Sequence, residues 1–462
     1  MLLNRLLPAG LALFLAACSS ATIPDVDVPQ RRESYTGSLP PMRTFSTPRV
    51  APTWRSNAQL AADFLELSFQ MESGRRLPQF SRFEGPITVA VKGNAPASLP
   101  GDLSRLVQRL RNEAGINISL SKPGNPAPSI TVQVVSKREL QRLVPQAACF
   151  VVPNVSSWGE FRKARRSRTV DWAALSERKQ IAVFMPGDVS PQEVRDCLHE
   201  EIAQALGPLN DLYRLPDSVF NDDNFHTVLT GFDMLMLRVY YDPALRSGME
   251  RSQVASRLPG ILSRVNPAGN RGGGAQGGYT PREWIDSIET ALGPRARPAT
   301  RLAAAKKAVN ISKAQGWRDN RAAFSLYALG RLSLSAEPEL SLASFLQASQ
   351  LYRRNPETQI QAAHVAMQLA AFSLSAGQAD GTIGLIDEVL PAVRRAENAA
   401  LLSTLLLLKA EAYELMGRTD TAAKVRTEAL GWARYGFGSD AVVRARVSEI
   451  SALKPRGRTA VN

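Results

Sequence analysis

Histidine and cysteine are both scarce in this chain. Three histidines (His199, His226, His364) and three cysteines (Cys18, Cys149, Cys197) are spread over 462 residues. No histidine stands at position 203 to pair with His199, so a His-Glu-x-x-His zinc helix is absent. Long apolar runs are few. The stretch Leu401 to Leu408 is soon broken by Lys409 and Glu411, and past the N-terminus nothing approaches the roughly 20 apolar residues that a bilayer crossing needs. The glycine-rich stretch 266–279 lacks the Lys-Ser/Thr ending of a phosphate-binding loop and reads as a flexible linker. What is present is an ordinary globular composition, 44% hydrophobic, long enough for two or three domains, with a formal net charge of +14.

The N-terminus carries an export signal. Arg5 precedes an apolar run, Leu6 to Ala17, of about 12 residues, which suits a secretory signal and is too short to span. The ending Leu15-Ala16-Ala17-Cys18 resembles the lipobox of bacterial lipoproteins. That resemblance implies cleavage before Cys18, lipidation of its thiol and a stable membrane anchor, each buried CH₂ contributing about 0.8 kcal/mol. Ser19, where aspartate would signal inner-membrane retention, implies the periplasmic side of the outer membrane. There a basic chain meets anionic lipid, lipopolysaccharide or cell wall rather than nucleic acid. With Cys18 lipidated, Cys149 and Cys197 remain, and two thiols in an oxidising compartment are expected to pair.

Along the chain, residues 18–55 are rich in Pro, Ser, Thr and Arg and read as a disordered tether. A mixed α/β region, 56–265, follows. Ser56 is expected to cap a helix through Met71 that Gly74 stops; strands are expected at 87–91, 116–120, 130–135, 149–152 and 181–184, with a helix over 102–112. The basic run Arg162, Lys163, Arg165, Arg166, Arg168 reads as a solvated loop, with anion binding as the sharper alternative. After the 266–279 linker, Thr280, Pro281 and Glu283 suggest a capping box for a connecting helix over 280–296. Residues 297–462 look wholly helical. Lys409 to Gly417 followed by Ala422, Ala429 and Leu430 resembles one tetratricopeptide repeat, with Phe345 and Ala348 a partial second match. About three hairpins are expected, with a protein or peptide as partner.

The segment Ser190 to Asp223 has the greatest chemical interest. Ser190-Pro191-Gln192-Glu193 announces a capped helix with Val194, Leu198 and Ile202 inward and Cys197, Glu200, Glu201 and Gln204 on the other side. Gly207 is expected to end it. This stretch resembles the metzincin peptidase motif, with Glu200 and Gln204 at the first two ligand positions, Glu201 at the general base, Gly207 at the reversal, Asn210 at the third ligand and Phe220 at the Met-turn methionine. Two of the three ligand positions are neutral amides, so no metal and no cofactor are expected. Residues 57–290 also resemble secreted bacterial proteins grouped as domain of unknown function 2927, through Phe64 to Phe69, Arg82 to Pro86, Glu200 to Gly207, Asn210-Asp211, Phe220 to Asp223 and Leu229 to Met249.

The fold expected is therefore an α/β (α+β) zincin-like mixed-sheet domain followed by an all-α, tetratricopeptide-like array. The leading functional expectation is a non-catalytic envelope binding or scaffold lipoprotein. The alternative is a divergent hydrolase using Glu201 with Glu200. His199, Asp211, Asp222 and Asp223 are further polar candidates: His199 as a surface or hydrogen-bonding residue before a ligand, the aspartates as turn caps before calcium ligands.

Overall fold

The computed structural model describes residues 37–46, 53, 55–122, 127–270, 278–293 and 295–455. The signal segment, Cys18 and residues 271–277 of the glycine-rich linker lie outside these. Helix α1 (Asn57–Phe69) opens the α/β part, capped by Ser56 in a full box with Gln59. Four strands, β1 (Ile87–Lys92), β2 (Ile118–Leu120), β3 (Ile130–Val135) and β5 (Ile181–Pro186), run parallel; β4 (Phe150–Pro153) pairs antiparallel with β5 at the edge, in the order β2-β1-β3-β5-β4. Every residue of β5 is buried because helices cover both faces of the sheet, as parallel strands require.

Strand periodicity sorts β5 between two cores. Ile181, Val183 and Met185 join the main apolar cluster. Ala182 and Phe184 face a smaller aromatic cluster with Trp158 and Phe161 of α4 (Trp158–Ala164). On the main side pack α2 (Leu99–Ala114), α5 (Pro191–Leu206) and α6 (Gly231–Tyr240); α3 (Lys137–Leu143) lies against β5, and α7 (Arg251–Val265) packs on α1. A disulfide joins Cys149, next to β4, to Cys197 of α5.

The C-terminal part is helical throughout its described residues: α8 (Arg282–Leu292), α9 (Pro298–Ala314), α10 (Asn320–Ser333), α11 (Pro338–Tyr352), α12 (Gln359–Ser375), α13 (Ala379–Arg395), α14 (Ala399–Leu415), α15 (Thr419–Phe437) and α16 (Asp440–Ser451). Helices α8/α9, α10/α11, α12/α13 and α14/α15 pair in succession, so the array is longer than about three hairpins. Gly436 sets the closest approach: a Cβ there would lie 2.5 Å from the Ala400 backbone nitrogen.

Several local expectations change. Helix α1 ends at Phe69, and Gly74 (φ +78°) instead closes the turn begun at Met71. Thr280 does not cap α8; its hydroxyl accepts from Arg321 at 2.9 Å, and Pro281 takes the N-cap place. The tether is shorter than 18–55. Residues 37–46 lie along α15, and Arg55 is drawn into ion pairs with Asp63, Asp217 and Glu357. Arg162, Lys163, Arg165, Arg166 and Arg168 are all exposed at and beyond the end of α4.

The two parts share an extensive boundary. Helix α5 touches the sheet on one side and α15 on the other. Arg195 donates to the Glu397 carboxylate at 2.9 Å and to its carbonyl at 2.6 Å. Gln192 accepts from the Ala400 N–H at 2.9 Å, so one domain caps a helix of the other. From the loop after α5, Tyr213 and Phe225 enter the apolar core of the helical array.

Candidate functional site: an acidic cleft between the two parts

The site forms where α5 ends. Ser190 caps α5 by accepting from the Glu193 N–H at 3.1 Å; Glu193 does not complete the box, because Lys137 engages its carboxylate at 3.4 Å. The expected division into an apolar and a polar face fails: Cys197, His199, Glu201 and Gln204 are buried along with Val194, Leu198 and Ile202, since the helical array covers what would be a solvent face.

Arg178 holds the far end of α5. This buried guanidinium donates to the carbonyls of Gln204 (2.6 Å), Ala205 (2.9 Å) and Gly207 (2.5 Å) and lies 5.1 Å over the Trp172 ring. It answers the orphan carbonyls that every helix leaves at its C-terminus. Gly207 does not end the helix in the left-handed conformation. Glycine is needed there because a Cβ would stand 2.9 Å from the Tyr240 ring.

Beyond α5 five carboxylates converge. Glu200 and Glu201 come from α5, Glu72 from the turn after α1, and Asp211 and Asp222 from the loop after α5. Glu72 and Asp222 are exposed, Glu200 and Asp211 half-buried, and Glu201 buried at 3% exposure, so the group runs from the surface inward. Glu72 faces Asp211, and its charge helps hold the Asp211 carboxyl protonated. The Tyr213 hydroxyl donates to Asp222 at 2.5 Å. Helix α8 stands behind Tyr213: Trp284 packs edge-on against that ring, with centroids 5.1 Å apart.

The electrostatics follow from confinement. Desolvation, reinforced by Glu72 and Asp222, pushes Glu200 up to about 8. Partial desolvation, with the charges of Glu72 and Glu289, shifts Asp222 upward against the hydrogen bond from Tyr213. Glu201 and Asp211 are held well above the usual carboxylate range, first by desolvation and then by neighbouring carboxylates. One oxygen of Glu201 (Oε2) and one of Asp211 (Oδ1) are buried without a hydrogen-bond partner among the described residues. A cleft in this condition favours an incoming cation.

The remaining candidates separate. Asn210 donates to the Glu66 carbonyl of α1 at 3.2 Å, so its amide fastens the loop. His199 is not a surface residue: it is buried, its Nδ1 accepts from the Leu229 N–H at 3.1 Å, and burial holds it well below its ordinary pKa, hence neutral. Asp223 accepts from the Phe225 N–H at 3.2 Å, from Asn221 at 2.9 Å and from Gln361 at 3.4 Å, a turn fastened to α12. Phe220 is fully buried. Among the described residues, no group of three or more His, Cys, Asp or Glu side chains is arranged to hold a metal ion. Sequence reasoning missed Glu72, Tyr213 and Arg178. All three act across elements, and only Glu72 had a local sign, its place in a Glu-Ser-Gly turn.

The fold and site define a two-part protein, an α/β domain packed against a helical array with an acidic cluster near their boundary. Residues 57–260 match the family described as protein of unknown function (DUF2927), so the α/β part carries the family likeness. No curated protein and no solved structure matches the chain.

Proposed function

We propose that this chain is a lipid-anchored periplasmic lipoprotein whose zincin-like α/β domain binds rather than cleaves, its acidic cleft taking a cationic group of an envelope protein or peptide. The tetratricopeptide-like array serves as an interaction scaffold. The observation that carries this reading is the cluster of carboxylates itself: Glu72, Glu200, Glu201, Asp211 and Asp222 gathered together, two of their oxygens buried and unpartnered among the described residues. The sheet order, with an antiparallel β4 and α5 following β5, is compatible with a zincin-like ancestry, and the amides at 204 and 210 support loss of the metal. No described helix is long and apolar enough to cross a membrane, and the proposed anchor is the acylated Cys18, which lies outside the described residues.

Calorimetric titration of the purified soluble chain with a lysine-rich peptide tests the cleft. Affinity should rise from pH 5.5 to 8.5 as Glu200 and Asp222 ionise, and fall at least about tenfold in Glu200→Gln/Asp211→Asn. Equal binding by that variant would sink the proposal. For the anchor, Cys18→Ala should release the protein from the membrane fraction.

A second reading, a hydrolase, is favoured by one observation. Glu72 and Asp211 face one another beside a Glu200 pushed up to about 8, a combination suited to acid/base work. Glu200 and Glu201 themselves point about 100° apart on α5 and form no natural couple. Peptide cleavage lost on Glu201→Ala, with one tightly bound zinc per chain, would replace the binding reading.

A further inference from the structure

Residues 37–46, Gly-Ser-Leu-Pro-Pro-Met-Arg-Thr-Phe-Ser, contain no helix or strand and lie along α15. Their contacts form a built slot. The Arg43 N–H donates to the Gly431 carbonyl at 3.0 Å, a carbonyl inside the helix that accepts this additional bond. Arg434 donates to the Pro40 carbonyl at 3.1 Å. Phe45 stacks on Trp432 with centroids 4.3 Å apart and meets Tyr435 edge-on at 6.3 Å. Arg195, from the α/β domain, lies 5.2 Å over Phe45 and 5.3 Å over Tyr435. Gly431 makes room: a Cβ there would stand 3.0 Å from the Arg43 side chain. An aromatic side chain is thus clamped between an indole and a guanidinium, and two backbone groups fix the direction of an extended peptide.

Two features mark this occupant as replaceable. Most of its residues remain exposed, including Met42, Arg43 and Thr44, and its apolar hold on the array comes from Leu39 and Phe45. The indole Nε1–H of Trp432, at the centre of the slot, is buried and has no acceptor among the described residues. Residues 37–46 therefore do not satisfy this donor.

We propose that the slot of Gly431, Trp432, Arg434, Tyr435 and Arg195 is a binding site for an extended peptide, occupied in cis by residues 37–46 and exchanged for a segment of a partner protein. The partner segment is proline-containing, places an aromatic side chain where Phe45 sits and offers a carbonyl or carboxylate to Trp432 Nε1. This rests on the slot alone and stands apart from the acidic cleft. Its second consequence is linkage: Arg195 also holds Glu397, so exchange at the slot is felt at the domain boundary.

The test uses the full soluble chain and the synthetic peptide of residues 37–46 as probe. Phe45→Ala, which opens the slot, should bind the added peptide at least about tenfold more tightly than the wild-type chain, and a peptide with alanine at the Phe45 position should not bind. A folded Phe45→Ala protein that fails to bind, or equal binding by both proteins, would overturn the proposal. If Phe45→Ala does not fold, hydrogen exchange of the wild-type chain decides: the Arg43 amide should exchange by local opening, far faster than amides within α15. Exchange of Arg43 only with global unfolding would make the segment an integral part of the fold and end the proposal. A wild-type dimer in gel filtration that dissociates on Phe45→Ala would assign the slot to a second copy of this chain and overturn the partner assignment.

Discussion

Glu200 is a weak acid because of surroundings drawn from separate segments of the chain. Its carboxyl rises from an ordinary 4.5 to about 8 because desolvation, Glu72 and Asp222 all oppose its charge. The folded state therefore holds this proton more tightly than the unfolded chain does. For a group raised in this way, the stabilising contribution is complete below the unfolded value and is lost as pH rises through the folded one. The unliganded protein should have its higher melting temperature near pH 5 and lose stability towards pH 8.5. Glu200→Gln, which removes the titration and keeps the shape, should flatten that decline in a series of thermal melts. A wild-type melting temperature that climbs across the same window would contradict the assignment. His199 shows the opposite case: burial and the nearby Arg109 keep it neutral, and its Nδ1 is already occupied, which removes it from the chemistry.

At the scale of elements, α5 is held at both ends and in its middle. Ser190 caps its start, Arg178 answers its last carbonyls, and Cys197 is bonded to Cys149 beside the edge strand β4. The bridge spans 48 residues, a loop that includes α4 and β5. Constraining a loop of this size in the unfolded chain contributes about 2–4 kcal/mol. Thiol titration of the denatured, unreduced domain should find no free thiol at Cys149 or Cys197. Cys149→Ser/Cys197→Ser should lower the urea-unfolding free energy by about that amount while keeping the helical circular-dichroism signal. Two titratable thiols would dismiss the bridge. The short β4 pairs with β5 alone in the sheet, and the bond adds a covalent tie to α5, against which β4 also packs.

For the whole molecule, the boundary between the parts matters more than either part's own surface. Tyr213 and Phe225 leave the α/β domain to sit in the core of the array, Gln192 caps α14, and the Arg195–Glu397 pair is buried. An ion pair taken out of water is weak evidence for net stability, but a lone buried charge is costly. Cooperative unfolding is therefore expected: circular dichroism and tryptophan fluorescence should report one coincident thermal transition for the soluble chain. A fragment ending at residue 270 exposes Tyr213, Phe225 and the outward face of α5, and should melt lower or aggregate. Two well-separated transitions in the intact chain, or a fragment as stable as the whole, would show the halves to be independent.

The sequence by itself determined the parts whose cause is local. β-rich runs, alternating in period two at 87–91, marked the five strands, Ser56 and Ser190 marked two helix starts, the Ala- and Leu-rich sequence with short breaks after residue 297 marked an all-helical region, and two leftover cysteines marked a disulfide. The carboxylates at 200, 201, 211 and 222 were legible as polar residues near the end of a helix. What only the tertiary structure decided is how the two halves meet. The spacing of apolar residues cannot distinguish a polar helix face that meets water from one that meets another domain, so α5 read as half-exposed when it is buried on both sides. For the same reason Glu72, more than 100 residues before Glu200, could not be placed in the cleft, nor Arg178 at the end of α5, nor residues 37–46 on α15. Each depends on contacts between segments far apart in the chain, and single-chain periodicity carries no information about such pairs.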